Sequence, residues 1–505
     1  MPLSSQGRAA ALHVAQASRW IHRAGSPAAL DPRAPVASGH HLVERLAAAL
    51  DSAEVSYCQW KGIWRVAGEG DIDLLVRRAD AARFRQVAES LGFKLVLGSG
   101  ERQLAGVESF LGHEPTLRHP IHLHVHYQVV VGDYWRTVYR LPIEAPMLQP
   151  TTPGEPFPVP APPYQFIVYV LRMMLRLRGW PLPLSRPRWL AGIQGQLDYL
   201  EGRCDRDEVA SILETYLPSV DLPFLDRCLR ALRVEGDPVE TAAVRRGLHR
   251  RLRTHSRQPS LIAMLAATGE KLLPYPLRPM LFDGRMRPST GGLVVALIGG
   301  DGAGKSTCAR ELRSWLATHL PTLHAHLGRP PRSLLTLVVG GALKVERLID
   351  RLAHWESPSG THIEMLRHLC TARDRFRLYR KVQRFAARGG LAICERYPIP
   401  QNRLLVGPCI PDLLGSDSTR LAKLLGAWEC RYYETMLAPD AMAVLRLEPE
   451  LAVIRKPEEP ADYVLTRARL IWETDWSGTP AHVVDASRSL PEVVQDLRNW
   501  IWSAL

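Results

Sequence analysis

The chain has 505 residues, of which 46% are hydrophobic and 23% charged, and it carries a net charge of +13. Those fractions are those of a soluble globular protein; they exclude a disordered or fibrous chain and leave room for two to four domains, each with its own core. The positive excess favours anionic partners such as nucleotides, nucleic acid, acidic glycans or a membrane surface, without choosing among them.

Within residues 1–36, the first 24 carry Arg8, Arg19 and Arg23 among alanines, and the N-terminus has no apolar core of the signal-peptide kind. They read as a flexible basic extension or a short amphipathic helix. No run of about 18 apolar residues occurs, so no transmembrane segment is expected. The eight cysteines are scattered without a Cys-x-x-Cys pair. A reduced, cytoplasmic compartment is the simplest expectation.

Residues 37–150 read as a small α/β domain. Helices are expected over 41–50 and 77–91. Strands are expected over 71–76, 93–97 and 121–131. In the last of these, Ile121, Leu123 and Val125 alternate with His122, His124 and His126. Trp60-Lys61-Gly62, followed after eight residues by Asp71-Ile72-Asp73, resembles the nucleotidyltransferase superfamily. The period of two puts Asp71 and Asp73 on one strand face, where two carboxylates can share a divalent ion. The resemblance implies a third carboxylate on a neighbouring strand, and His122 stands at the matching place. This domain is therefore expected to keep the fold, with chemistry at Asp71 and Asp73 an open alternative.

Residues 146–163 contain eight prolines and read as a linker. Helical segments follow over 164–177, 190–200, 207–217, 222–232 and 239–252. Arg245, Arg246, His249, Arg250, Arg251 and Arg253 make a basic stretch without interleaved aromatics. Nucleic acid or another acidic polymer is thus the less favoured partner, and a solvated helix face the simpler one. Residues 151–290 are expected to form a proline-rich linker and a helical connector.

The most informative stretch is 293–307. Leu293 to Ile298 read as a buried strand, and Gly299-Gly300-Asp301-Gly302-Ala303-Gly304-Lys305-Ser306 fits G-x-x-x-x-G-K-[ST]. Such glycines let several backbone N–H groups converge on one phosphate. Lys305 reaches the outer phosphates, and the Ser306 hydroxyl takes a place on Mg²⁺. Thr307 continues into a helix whose N-terminal partial charge faces the same anion. Gly299, Gly300, Gly302, Ala303, Gly304, Lys305, Ser306 and Thr307 are the expected ATP-binding set, with Mg²⁺ as cofactor. Beyond them, strands are expected over 322–327, 391–394, 441–447 and 482–485, with helices over 335–352, 362–387, 421–437 and 490–501, and another beginning over 450–455. This alternation predicts a parallel sheet flanked by helices, with ligands beyond the carboxyl ends of its strands.

Residues 291–505 resemble the thymidylate kinase family of P-loop nucleoside-monophosphate kinases. The resemblance rests on the phosphate loop with Asp301, on Asp374-Arg375, on Glu395-Arg396-Tyr397, on Pro439-Asp440 with Leu447-Glu448-Pro449, and on Val484-Asp485-Ala486. It implies that Lys305, Arg396, Asp301 and Arg455 serve catalysis, with Asp301 near the acceptor sugar or the metal. Arg375, Arg396 and Glu395 would bind the acceptor, and Ser306 and Glu395 would hold Mg²⁺. Arg455-Lys456 opens a polar stretch where the family has its lid. Glu395 stands where the family has Asp. The expected activity is transfer of the γ-phosphate of ATP to dTMP or a related small acceptor, and the resemblance is compatible with a dimer. Nucleotidyl transfer at Asp71 and Asp73, or nucleotide-gated binding without turnover, are the alternatives.

Overall fold

The computed structural model describes residues 41–61, 71–98, 105–117, 119–133, 137–149, 151–154, 156–177, 186–233, 238–257, 285–352, 362–415 and 418–505. The basic extension 1–36 and Gly62 of the nucleotidyltransferase-like motif lie outside these residues. The strands, in chain order, are β1 (Tyr57–Lys61), β2 (Ile72–Val76), β3 (Lys94–Leu97), β4 (Val107–Gly112), β5 (Ile121–His126), β6 (Val129–Asp133), β7 (Thr137–Leu141), β8 (Arg287–Pro288), β9 (Leu293–Gly299), β10 (Thr322–His326), β11 (Leu391–Glu395), β12 (Ala441–Arg446) and β13 (Ala481–Asp485). Packing divides the chain into two units, Met1–Phe84 with Val125–Tyr275 and Arg85–His124 with Pro276–Leu505.

In the first unit β1 and β2 pair antiparallel, Tyr57 opposite Val76 and Lys61 opposite Asp73. The stretch 121–131, expected as one strand, bends at Tyr127 and Gln128. Its second half becomes β6 and pairs antiparallel with β7, Val129 opposite Leu141. The proline-rich stretch lies along β1. The Gln59 N–H donates to the Pro158 carbonyl at 2.8 Å, and buried Phe157 meets Tyr57 edge-on. Helix Pro162–Arg176 then begins with two prolines in its first turn, where their missing N–H groups cost nothing. Its run Phe166–Leu171 is buried without a break. A helix apolar on every side belongs at the centre of a core. Leu197, Leu213, Leu225 and Leu248, from four further helices, join the same core. Two of those helices start from aspartate caps, Asp205 on the Asp207 N–H and Asp221 on the Phe224 N–H.

The second unit contains a parallel sheet in the order β10-β11-β9-β12-β13. The residues of β9 alternate between two cores. Val295 and Leu297 pack with Leu312, Trp315 and Leu497; Val294, Ala296 and Ile298 pack with Tyr379, Val382 and Tyr397. Strands β11 and β12 alternate in the same way, Ile393 and Leu445 on the first side, Cys394 and Val444 on the second. A strand covered on both faces must be apolar throughout, which is why Leu293–Ile298 shows no polar alternation. Residues 85–124 belong to this unit. Strand β3 pairs antiparallel with β4 and with β8, Val96 and Leu111 enter the first core, and the Trp502 indole donates to the Gly92 carbonyl at 2.9 Å. Among the described residues no helix is long and apolar enough to cross a membrane.

Candidate functional site

The site grows from the end of β9. The strand stops at Gly299, and helix Lys305–Leu316 begins after a turn in which Gly302 and Gly304 have φ of +82° and +84°. Only glycine takes that conformation freely. Gly302 has a second reason to be glycine. A Cβ there would stand 2.9 Å from the Ala452 carbonyl oxygen, whereas at Gly304 it would meet open space. A Cβ at Gly300 would lie 2.9 Å from the Ala468 Cα. The loop is thus pressed between its own helix and the helices Pro449–Ile454 and Ala461–Trp472. The first N–H groups of a helix have no partner inside it, so those of Lys305 and Ser306 face the turn.

Lys305 is 6% exposed, and its ammonium donates to the Gly300 carbonyl at 2.5 Å. Burial, helped by the Arg396 guanidinium, lowers its pKa to about 8 against the pull of Asp301 and Glu395. The Ser306 hydroxyl donates to Glu395 Oε2 at 2.6 Å, and His324 Nε2 stands 2.7 Å from Oε1. Burial pushes the Glu395 carboxyl up, but the bonds from His324 and Ser306 outweigh it and hold it below its usual range. Glu395 and Ser306 meet because β11 lies beside β9 with Glu395 opposite Leu297.

Arg396 follows at once and has φ of +53°. A non-glycine residue in that region costs about 1–2 kcal/mol, and such costs cluster where side-chain direction matters. Here the turn aims the guanidinium at Asp301, with which it forms an ion pair. The glycine at 328 leaves room for it, since a Cβ there would be 2.6 Å from the Arg396 Cδ. Arg467 Nε stands 2.9 Å from the other Asp301 oxygen, an ion pair whose N–H is not aimed along the line of a hydrogen bond. Asp301 therefore holds two guanidiniums at once. Asp301, Arg329, Arg396, Tyr463 and Arg467 line a cavity of about 530 Å³ with Gly328, Leu405, Glu459 and Pro460. Another recess, of about 600 Å³ along the helix Leu490–Ala504, contains none of these groups.

The remaining expected residues lie apart from that cavity's lining. Buried Arg375 donates to the Leu327 carbonyl at 2.7 Å and to the Tyr433 hydroxyl. Its neighbour Asp374 accepts from the Ser333 N–H at 2.8 Å and the Thr336 hydroxyl at 2.6 Å, which anchors the start of helix Leu334–Leu352. Arg455 donates to the Ala486 carbonyl at 2.9 Å, and Lys456 pairs with Glu458. No motif in the sequence marks Arg467, Tyr463, Arg329 or His324 as a site residue. Tyr463 and Arg467 are four residues apart on one helix, and the Arg467 guanidinium lies over the Tyr463 ring. That spacing was the available signal.

In the first unit Asp71 is exposed just before β2. Asp73 is engaged: its Oδ1 lies 3.3 Å from the Lys61 ammonium and 3.0 Å from His126 Nε2. Lys61 also sits over the Trp60 ring at 4.0 Å. In the second unit His122 packs edge-on against His124.

No family model matches the chain. Over 230 residues it is 26% identical to "Uncharacterized ATP-binding protein YghS" of Escherichia coli (strain K12), covering 43% of this chain and 95% of that protein. Over 213 residues it is 24% identical to "Uncharacterized ATP-binding protein YghR" of the same strain, covering 40% of this chain and 84% of that protein. Both proteins to which the chain is similar are named for ATP binding, and neither name states a reaction.

Proposed function

We propose that the second unit binds ATP with Mg²⁺ at Gly299–Thr307 and transfers the terminal phosphate to a small acceptor in the adjoining cationic cavity. The names of the two similar proteins support the ATP part of this reading. One observation carries the rest: Lys305, Arg396 and Arg467 converge where the phosphate loop opens on a cavity of about 530 Å³. Phosphoryl transfer is catalysed chiefly by positioning and by positive charge around the moving group. The Lys305 ammonium, now on the Gly300 carbonyl, turns to the triphosphate tail. Arg396 and Arg467, which Asp301 holds in place, lie nearest to an incoming anion. The Ser306 hydroxyl and the Glu395 carboxylate, 2.6 Å apart, are the oxygen pair that fits Mg²⁺. When bound, that ion neutralises charge on the phosphates. The resemblance to thymidylate kinases supports dTMP or a related phosphorylated acceptor. Arg329 adds a further cation to the cavity wall.

Nucleotidyl transfer by the first unit has less support. Its Asp73 carboxylate already lies beside the Lys61 ammonium, which competes with a divalent ion for the same oxygen.

The test is ADP release by the full chain with a panel of nucleoside monophosphates and sugars. Turnover should require one acceptor class and vanish in Lys305→Ala. Undiminished turnover in that variant refutes the assignment.

A further inference from the structure

We infer that His368, Cys409 and Glu429 form a site for one transition-metal dication of the zinc class. The inference does not rest on the nucleotide reading. Helix His362–Ala387 supplies His368 and helix Arg420–Glu434 supplies Glu429. The turn between them supplies Cys409, and buried Met365, Ile410, Ala422 and Leu425 clamp that turn to both helices. One ligand atom from each of the three residues lies within 4.8 Å of the others. Donors at about 2.0–2.3 Å from a common ion stand about 3.3–3.8 Å apart in a tetrahedron, so a contraction of about 1 Å closes the site.

The lone pairs are available. Glu429 is 1% exposed, and its Oε2 accepts from the N–H groups of Cys409 at 2.9 Å and Ile410 at 2.7 Å. Among the described residues its Oε1 and the ring nitrogens of His368 have no hydrogen-bond partner. Among the described residues the Cys409 thiol has only a contact of 3.6 Å to the Gly407 carbonyl. Imidazole, thiolate and carboxylate together suit a borderline-soft dication; Mg²⁺ and Ca²⁺ prefer oxygen alone. Cys409 is exposed, so solvent can complete a fourth position.

The competing reading is a Cys–His nucleophile. Such a pair needs a hydrogen bond from thiol to imidazole and a third group that orients the ring; among the described residues the Cys409 thiol bonds only the Gly407 carbonyl and no group bonds the His368 ring. The guanidinium of Arg375 is taken up by the Leu327 carbonyl and the Tyr433 hydroxyl. A dication balances one thiolate and one carboxylate, and its binding releases the thiol proton to solvent.

The experiment is Co²⁺ titration of the full chain after chelator treatment, followed by Zn²⁺ competition. Expected is a near-ultraviolet thiolate-to-cobalt absorption that saturates at one equivalent and is displaced by Zn²⁺. Cys409→Ala should abolish it, and His368→Ala should weaken Co²⁺ binding at least about tenfold. Cobalt at the Ser306–Glu395 oxygens gives no such absorption, so failure here is distinguishable from failure of the nucleotide reading. Circular dichroism of Cys409→Ala, an exposed position, controls for folding. Absence of the absorption from the native protein, its full retention in Cys409→Ala, or an undiminished Co²⁺ affinity in His368→Ala overturns the inference.

Discussion

Nucleotide binding should draw a proton onto Lys305, and the size of that uptake follows from the site. Without nucleotide the ammonium is almost wholly buried, has the Gly300 carbonyl as its acceptor, and stays half protonated near pH 8. A triphosphate beside it supplies negative charge and returns its pKa to about 10.4. At pH 8 about half of the molecules must therefore take up a proton on binding, against about a tenth at pH 7 and about nine-tenths at pH 9. The sign is fixed by the direction of the shift. A group whose pKa rises on binding favours the complex fully below its free value, so affinity should fall about fivefold between pH 8 and pH 9 and little below pH 7. Isothermal titration calorimetry measures the uptake directly, using the full chain, Mg²⁺ and a non-hydrolysable ATP analogue in two buffers of different ionisation enthalpy. At pH 8 and 9 His326 contributes little, since burial holds it below its usual range, and Cys308 is pushed up to about 11. Zero uptake at both values would refute the placement of Lys305 against the phosphates.

Three further outcomes follow from the geometry. Gly304→Ala should cost about 1–2 kcal/mol for its left-handed backbone alone. Gly302→Ala should cost about 1–3 kcal/mol more, because its Cβ also meets the Ala452 carbonyl; equal thermal shifts for the two variants would contradict the packing of the loop. Arg467→Ala should lower kcat for ADP release by about 10²–10³ while the melting temperature stays near the native value, and undiminished release would remove Arg467 from the site. Glu395→Gln should raise the Mg²⁺ concentration for half-maximal turnover at least about tenfold, and an unchanged requirement would place the ion elsewhere.

The sequence by itself determined the parts that depend on near neighbours. Six apolar residues, glycines at fixed offsets and a helical apolar period specify β9, the turn and helix Lys305–Leu316, because each follows from backbone sterics and local burial. The buried helix Pro162–Arg176 was legible for the same reason. The tertiary structure alone decided which distant side chains share a space. Arg467 reaches Asp301 because helix Ala461–Trp472 packs its Ala468 against Gly300. Glu395 reaches Ser306 and His324 because β11 lies between β10 and β9. Arg375 turns to Leu327 and Tyr433, and residues 85–124 join the C-terminal unit by pairing with β8 and packing on its core. Periodicity says which face of an element is apolar, but strand order and helix packing decide what that face meets, and neither is written within one local window of sequence.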